Sequence, residues 1–183
     1  MRVFPLFAIS AAVTLSSVCS PGRAQTAPGK APEYQVKTRY IATLAEYASW
    51  PAQARPKIPG QPIIVGILGT APFDRFLVDL ETRYRIHESP IELIYLRQPS
   101  EARSCHIVFI CTSEAYRITE VINLLRGFPV LTIGDTPGFA AKGIMINLLP
   151  VRDRIYFEIN PTAIKANGLE MSSHVLKLAR IVE

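Results

Sequence analysis

The chain has 183 residues, 49% of them hydrophobic and 19% charged, with a formal net charge of +5. This balance excludes an intrinsically disordered, collagen-like or fibrous protein. Removal of the first 24 residues as an export signal takes away Arg2 and Arg23, leaving 18 basic against 15 acidic residues. A mild, dispersed excess of +3 argues against nucleic-acid binding, which concentrates positive charge in a stripe or patch.

Arg2 supplies a positive start, Val3 to Val18 an apolar segment, and Gly22-Arg23-Ala24 the small residues a signal peptidase reads. The apolar stretch falls short of the roughly 20 residues a membrane span needs. Val18, branched, stands where a lipoprotein site before Cys19 requires a smaller residue. Cleavage after Ala24 and export to the periplasm is the reading, with an uncleaved anchor as the alternative. Residues 25–32 read as a flexible lead-in, and 33–183 as one domain large enough to need no disulfide or metal staple.

The spacing of Val36, Tyr40, Ile41, Leu44, Tyr47 and Ala48 predicts a helix over Glu33 to Ser49, with Lys37, Thr38, Glu46 and Ser49 on its polar side. Trp50-Pro51 ends it. The unbroken apolar run Pro62 to Leu68 predicts a strand buried on both faces. A helix follows from Pro72 to Arg83, with Asp74 in its first turn. Strands are predicted at Ile91–Leu96, His106–Ile110 and Val130–Ile133. Between the last two lies a helix capped by Ser113, carrying Tyr116, Ile118, Val121, Ile122, Leu124 and Leu125, and ended by Gly127.

Gly143–Leu149 and Arg154–Ile159 flank the turn Pro150-Val151-Arg152-Asp153 as a hairpin. In its second arm, Arg154, Tyr156 and Glu158 alternate with Ile155, Phe157 and Ile159, which predicts one wet face. Asn160-Pro161 opens a short helix closed by Gly168, and a last helix places Met171, Val175, Leu178, Ala179 and Val182 at core spacing. Alternating strands and helices followed by a hairpin indicate an α/β three-layer sandwich, its mostly parallel central sheet extended by antiparallel strands.

Catalytic motifs are sparse. His87, His106 and His174 stand apart, outside any His-Glu-x-x-His context, and no Gly-x-Ser-x-Gly elbow or metal spacing occurs. His106, at the start of an apolar strand, reads as a hydrogen-bonded structural residue. Gly69-Thr70 and Asp135-Thr136 follow strands at the sheet edge where open α/β folds bind ligands. The first turn lacks a phosphate-binding glycine pattern, however, and Asp74 would repel an anion. Tyr34, Tyr40, Tyr47 and Trp50 fit a helix face, either as core or as a partner surface.

Cys105 and Cys111 remain after cleavage. On one strand from Ser104 to Cys111 their Cα atoms would lie about 20 Å apart with both sulfurs on one face, too far for a disulfide. Buried thiols, an intermolecular bridge and a redox switch stay open as readings.

Tyr34-Gln35-Val36-Lys37, Ala48-Ser49-Trp50-Pro51, Val65-Gly66-Ile67-Leu68-Gly69 with Pro72-Phe73, and Cys105-His106-Ile107-Val108-Phe109-Ile110 resemble the YfiR-like family. The longest match is Arg154-Ile155-Tyr156-Phe157-Glu158-Ile159-Asn160, continued by Ala163, Gly168-Leu169 and Leu176-Lys177-Leu178-Ala179. Lys142-Gly143 departs from a glycine pair common in the family. The resemblance implies a non-enzymatic periplasmic regulator without cofactor. Its partner would be an inner-membrane diguanylate cyclase or sensor kinase, with an outer-membrane-linked protein as releasing partner. The wet hairpin face (Arg154, Tyr156, Glu158) is the expected contact, and homodimerisation through an open sheet edge is compatible. The competing expectation is a small-ligand binding protein serving a transporter or sensor, with its pocket at Gly69, Thr70, Asp135 and Thr136.

Overall fold

Strands with apolar residues on both faces cannot remain at a surface, and here each strand of the central run is covered twice. The computed structural model describes residues 30–183 except 59, 72–73 and 152–153. The leader, most of the lead-in, Pro72-Phe73 and the turn residues Arg152-Asp153 therefore lie outside the described residues. The elements in chain order are α1 (Lys30–Glu46), β1 (Ala48–Ser49), β2 (Ile63–Leu68), α2 (Asp74–Arg83), β3 (Arg85–Ile86), β4 (Ser89–Leu96) and β5 (Ile107–Ile110). They continue with α3 (Ile118–Leu125), β6 (Leu131–Gly134), α4 (Phe139–Lys142), β7 (Ile146–Val151) and β8 (Arg154–Ile159). The last four are α5 (Pro161–Ala166), β9 (Glu170–Met171), α6 (Ser173–Leu178) and β10 (Arg180–Ile181).

The main sheet runs β10-β8-β7-β6-β5-β2-β4-β3, and β1 pairs with β9 separately. Among the described residues, only β7–β8 and β3–β4 pair antiparallel within the main sheet; its other neighbours are parallel. The chain starts in the middle at β2, goes to β4 on one side, then crosses to β5 on the other. The strand order thus reverses between β2 and β5, the place where such sheets open a crevice at their carboxyl ends.

Alternation assigns the faces. Ile63, Val65, Ile67, Ile107, Phe109, Leu131 and Ile133 pack with Ile41, Leu44 and Ala45 of α1 and Leu77 and Leu80 of α2. Leu68, Val108 and Ile110 pack on the other side with Ile118, Val121 and Leu125 of α3 and Phe139 of α4. The result is the three-layer α/β sandwich. Each of these buried large aliphatics contributes roughly 1.5–3 kcal/mol. Gly66 is required by close approach, since a Cβ there would lie 2.7 Å from Cys105 Sγ.

Several elements depart from the sequence reading: the strand expected from Gly143 begins at Ile146 after helix α4, and Pro150-Val151 belong to β7 instead of the turn. Helix α1 starts at Lys30, inside the expected lead-in, and stops at Glu46, so Ala48-Ser49 pair with Glu170-Met171 instead of extending it. Its buried face is also rotated. Lys37 and Thr38 are each 2% exposed, whereas Val36 is 39% and Tyr47 46% exposed. Ala42 and Ala45, small and weakly apolar, complete the buried stripe with Ile41 and Leu44.

A hairpin joins β3 to β4 through His87 and Glu88, with φ of 49° and 65°. Two-residue turns of this hand favour Asn-Gly or Gly-Gly, so the sequence carries no signal for it. The turn is held from outside. His87 N donates to Glu46 Oε2 at 2.8 Å, and its Nε2 lies 2.9 Å from Ala48 O.

Ser113 does not cap α3; a short 3-10 turn over Thr112–Arg117 comes first, and Tyr116 is exposed. Finally, the last helix ends at Leu178, which is 79% exposed, and the chain then pairs beside β8 as β10. Asn160 does cap its helix, Oδ1 accepting from Ala163 N at 2.8 Å.

Candidate functional site

The loops after β2, β5 and β6 bring Gly69-Thr70, Thr112-Ser113 and Asp135-Thr136 to the carboxyl edge of the sheet. Thr112 Oγ1 lies 2.8 Å from Thr136 Oγ1 and donates to Asp135 Oδ1 at 3.4 Å. Thr70 N donates to Ser113 Oγ at 2.9 Å. Gly69, at φ +96°, leaves room for that contact, since a Cβ would collide with Ser113 Oγ. The residues expected to form a ligand pocket are therefore near one another, but engaged with the chain's own side chains.

The decisive occupant is Lys37. Its Nζ lies 2.6 Å from Glu33 Oε1 and 2.9 Å from Asp135 Oδ2, and its side chain is 3% exposed. The same ammonium stands 5.1 Å from the centroid of the Tyr34 ring. Burial works against the Lys37 charge, but Asp135 and Glu33 outweigh it and hold the pKa above the ordinary lysine value. Burial, the largest influence, raises the Tyr34 phenol. Thr38 is satisfied locally, Oγ1 donating to Tyr34 O at 2.9 Å. Periodicity alone puts Lys37 on the polar side of the helix, and the i,i+4 pair with Glu33 is the one local signal of its role.

The hairpin trio does not share one wet face. Arg154 is exposed, Tyr156 half-buried, and Glu158 only 7% exposed. Glu158 Oε2 accepts from Asn147 Nδ2 at 3.2 Å, and Oε1 lies 3.6 Å from Arg180 Nη1. Because β10 adds alongside β8, that strand is not the sheet edge, and its last residues are covered. Charge reversal at Glu158 would disrupt a buried contact instead of probing a surface. Asn147, missed by sequence reasoning, also donates to Thr136 O at 2.9 Å.

A different surface appears on the opposite face of β8. Tyr40 packs against Phe157 with ring centroids 5.9 Å apart, and half-buried Ile155 lies along the same strand face. Exposed Val36 lies one turn before Tyr40 on the same helical stripe, and Tyr47, just past the end of α1, is exposed as well. Of the four aromatics read as a possible partner surface, Tyr34 and Trp50 are buried instead. Trp50 Nε1 donates to His106 O at 3.2 Å, and His106 Nδ1 accepts from Ile64 N at 3.0 Å, the hydrogen-bonded role expected of that histidine.

Cys105 and Cys111 are buried thiols, not joined in a disulfide. The strand between them spans only Ile107–Ile110, and the chain turns before it, so the two belong to cores on opposite faces of the sheet. The expectation of both sulfurs on one face is thereby corrected, and the sheet itself stands between them. Burial pushes the Cys105 thiol up to about 11, which leaves little nucleophilic thiolate at neutral pH. Among the described residues, no cluster of three or more His, Cys, Asp or Glu could hold a metal ion, and no helix is long and apolar enough to cross a membrane.

A domain family described as YfiR/HmsC-like matches residues 34–180. The chain belongs to this family. No curated protein matches the sequence. A crystal structure of a conserved domain protein from Vibrio cholerae is similar in fold, with a TM-score of 0.57 and 10% identity over 80% of this chain and 60% of the other. An ABC domain from Streptococcus pneumoniae in complex with L-Trp has a TM-score of 0.54 and 10% identity over 81% of this chain and 60% of that one. Both likenesses concern the fold alone, and the chain spans about 60% of the length of each structure.

Proposed function

We propose that the protein is a non-enzymatic periplasmic regulator that binds the periplasmic part of an inner-membrane signalling protein, first of all a diguanylate cyclase, and holds it inactive. The family match over residues 34–180 supports the regulatory class, and the leader pattern from Arg2 to Ala24 supports export. The observation that carries a binding role is the apolar surface formed by Val36, Tyr40 and Tyr47 along the α1 stripe with Ile155 and Phe157 of β8. Exposed Val36 and Tyr47 beside the half-buried Tyr40 and Phe157 rings suit a protein partner, because aromatic side chains lose little entropy on contact.

Inhibition requires a difference in affinity between two receptor states. Moving a receptor from almost wholly active to almost wholly inactive takes about 5.5 kcal/mol of differential binding. The test is cellular cyclic di-GMP in a deletion strain, with the exported protein restored as control. A rise on deletion that restoration reverses is the expected result. An unchanged level under both conditions would overturn the cyclase assignment.

A further inference from the structure

The opposite end of the sheet carries an open groove of about 330 Å³ at the amino ends of β2, β5 and β6. Arg55, Lys57, Arg103 and His106 line it together with the neutral amides of Gln53 and Gln61, and no carboxylate does so among the described residues. Both arginines are oriented from within the chain. Arg55 Nε donates to Trp50 O at 2.7 Å. Arg103 Nε donates to Leu124 O at 2.9 Å, with its guanidinium 4.4 Å from the centroid of the Phe128 ring. In each case Nε makes the internal bond, so the two terminal nitrogens stay available as a fork. Among the described residues neither arginine has a carboxylate at ion-pair distance.

His106 completes the set. Its Nδ1 accepts from Ile64 N, which puts the proton of the neutral ring on Nε2 as a donor. Two guanidinium forks, an ammonium and an imidazole N–H thus line the groove as donors, with no carboxylate in its lining among the described residues. Oxygens of a carboxylate or phosphate match such forks bidentately. The volume suits a small organic molecule.

We propose that this groove binds a small oxyanion, a carboxylate- or phosphate-bearing metabolite, through Arg55, Lys57, Arg103 and His106. The site is separate from the α1–β8 surface, so failure of either assignment leaves the other standing. The experiment follows the His106 ring nitrogens by NMR in the exported chain at low salt, titrated with citrate and, separately, with inorganic phosphate. A saturable shift with either anion is expected, and which one binds tighter identifies the carboxylate or phosphate class. Arg103→Gln should weaken binding about tenfold, as loss of one charge-assisted contact implies. Lys57→Gln, at an exposed position, provides a second variant should Arg103→Gln fold poorly, with a smaller loss of about threefold. Arg83→Gln, on α2 and paired with Asp79, serves as the control and should bind like the parent. Absence of a saturable shift with both anions, or an equal loss in Arg83→Gln, would overturn the proposal.

Discussion

At the carboxyl ends of β5 and β6, Asp135 pairs with buried Lys37 while Thr112 stays exposed, whereas at the amino ends of β2 and β5 Arg55, Lys57, Arg103 and His106 border an open groove. The carboxyl end contains both charge signs, already paired at 2.6 and 2.9 Å. The lining of the open groove contains one sign, with no carboxylate in it among the described residues. Asp135, at the crevice position that α/β sheets commonly use for ligands, is therefore tied to α1. This anchoring fixes the helix whose outer stripe meets β8, so an internal ion network supports an external apolar surface.

The largest effect is expected from Lys37→Met. Removing the ammonium leaves Asp135 and Glu33 without their buried counter-charge, and loss of one partner from such a pair costs about 3–5 kcal/mol. Urea unfolding at pH 7 measures it; a loss below about 1 kcal/mol would show that the network does not anchor the helix. The sign of its pH dependence follows from the raised Lys37 pKa. The contribution is complete below the unfolded lysine value of about 10.4 and is lost only as pH rises through the higher folded value.

Gly69→Ala should cost less, about 1–3 kcal/mol, because alanine is strained at φ +96° and its Cβ meets Ser113 Oγ. Its melting temperature should fall without change in secondary structure. An unaltered melt would mean that the Thr70–Ser113 contact yields freely.

Cys105 sharpens the contrast between a buried group and the accessible groove beside it. With the folded thiol at about 11, modification by a thiol reagent should be slow at pH 7–9 and should accelerate on unfolding. Its stability contribution is present below the unfolded cysteine value of about 8.5 and is lost as pH rises toward the folded value. Rapid labelling of the folded protein at pH 7 would contradict this and support a redox role.

The strands around Ile63–Leu68 and Ile107–Ile110 are legible in the sequence because unbroken apolar runs require cover on both faces. The caps are legible where one side chain suffices, as at Asn160. The orientation of α1 is not, because its buried stripe depends on alanines and on a lysine whose partner Asp135 lies 98 residues away. Glu158 alternates correctly for an exposed strand face; its burial follows from Arg180-Ile181 leaving the helix pattern to join the sheet. The basic groove is equally hidden, since Arg55 and Arg103 meet only through the tertiary fold. Sequence periodicity reads one element at a time, and each of these features is shared between distant elements.

The smallest stability effect and the sharpest functional one should come from the same variant. Val36→Asp with Tyr47→Asp alters exposed positions, so unfolding free energy should change by about 0.5 kcal/mol or less per site. The decisive measurement is cyclic di-GMP in a deletion strain carrying this exported double variant, beside one carrying the parent protein at equal periplasmic abundance. The parent should lower the level and the folded variant should leave it high. Equal lowering by both would contradict the assignment of the α1–β8 surface as the contact with the signalling partner.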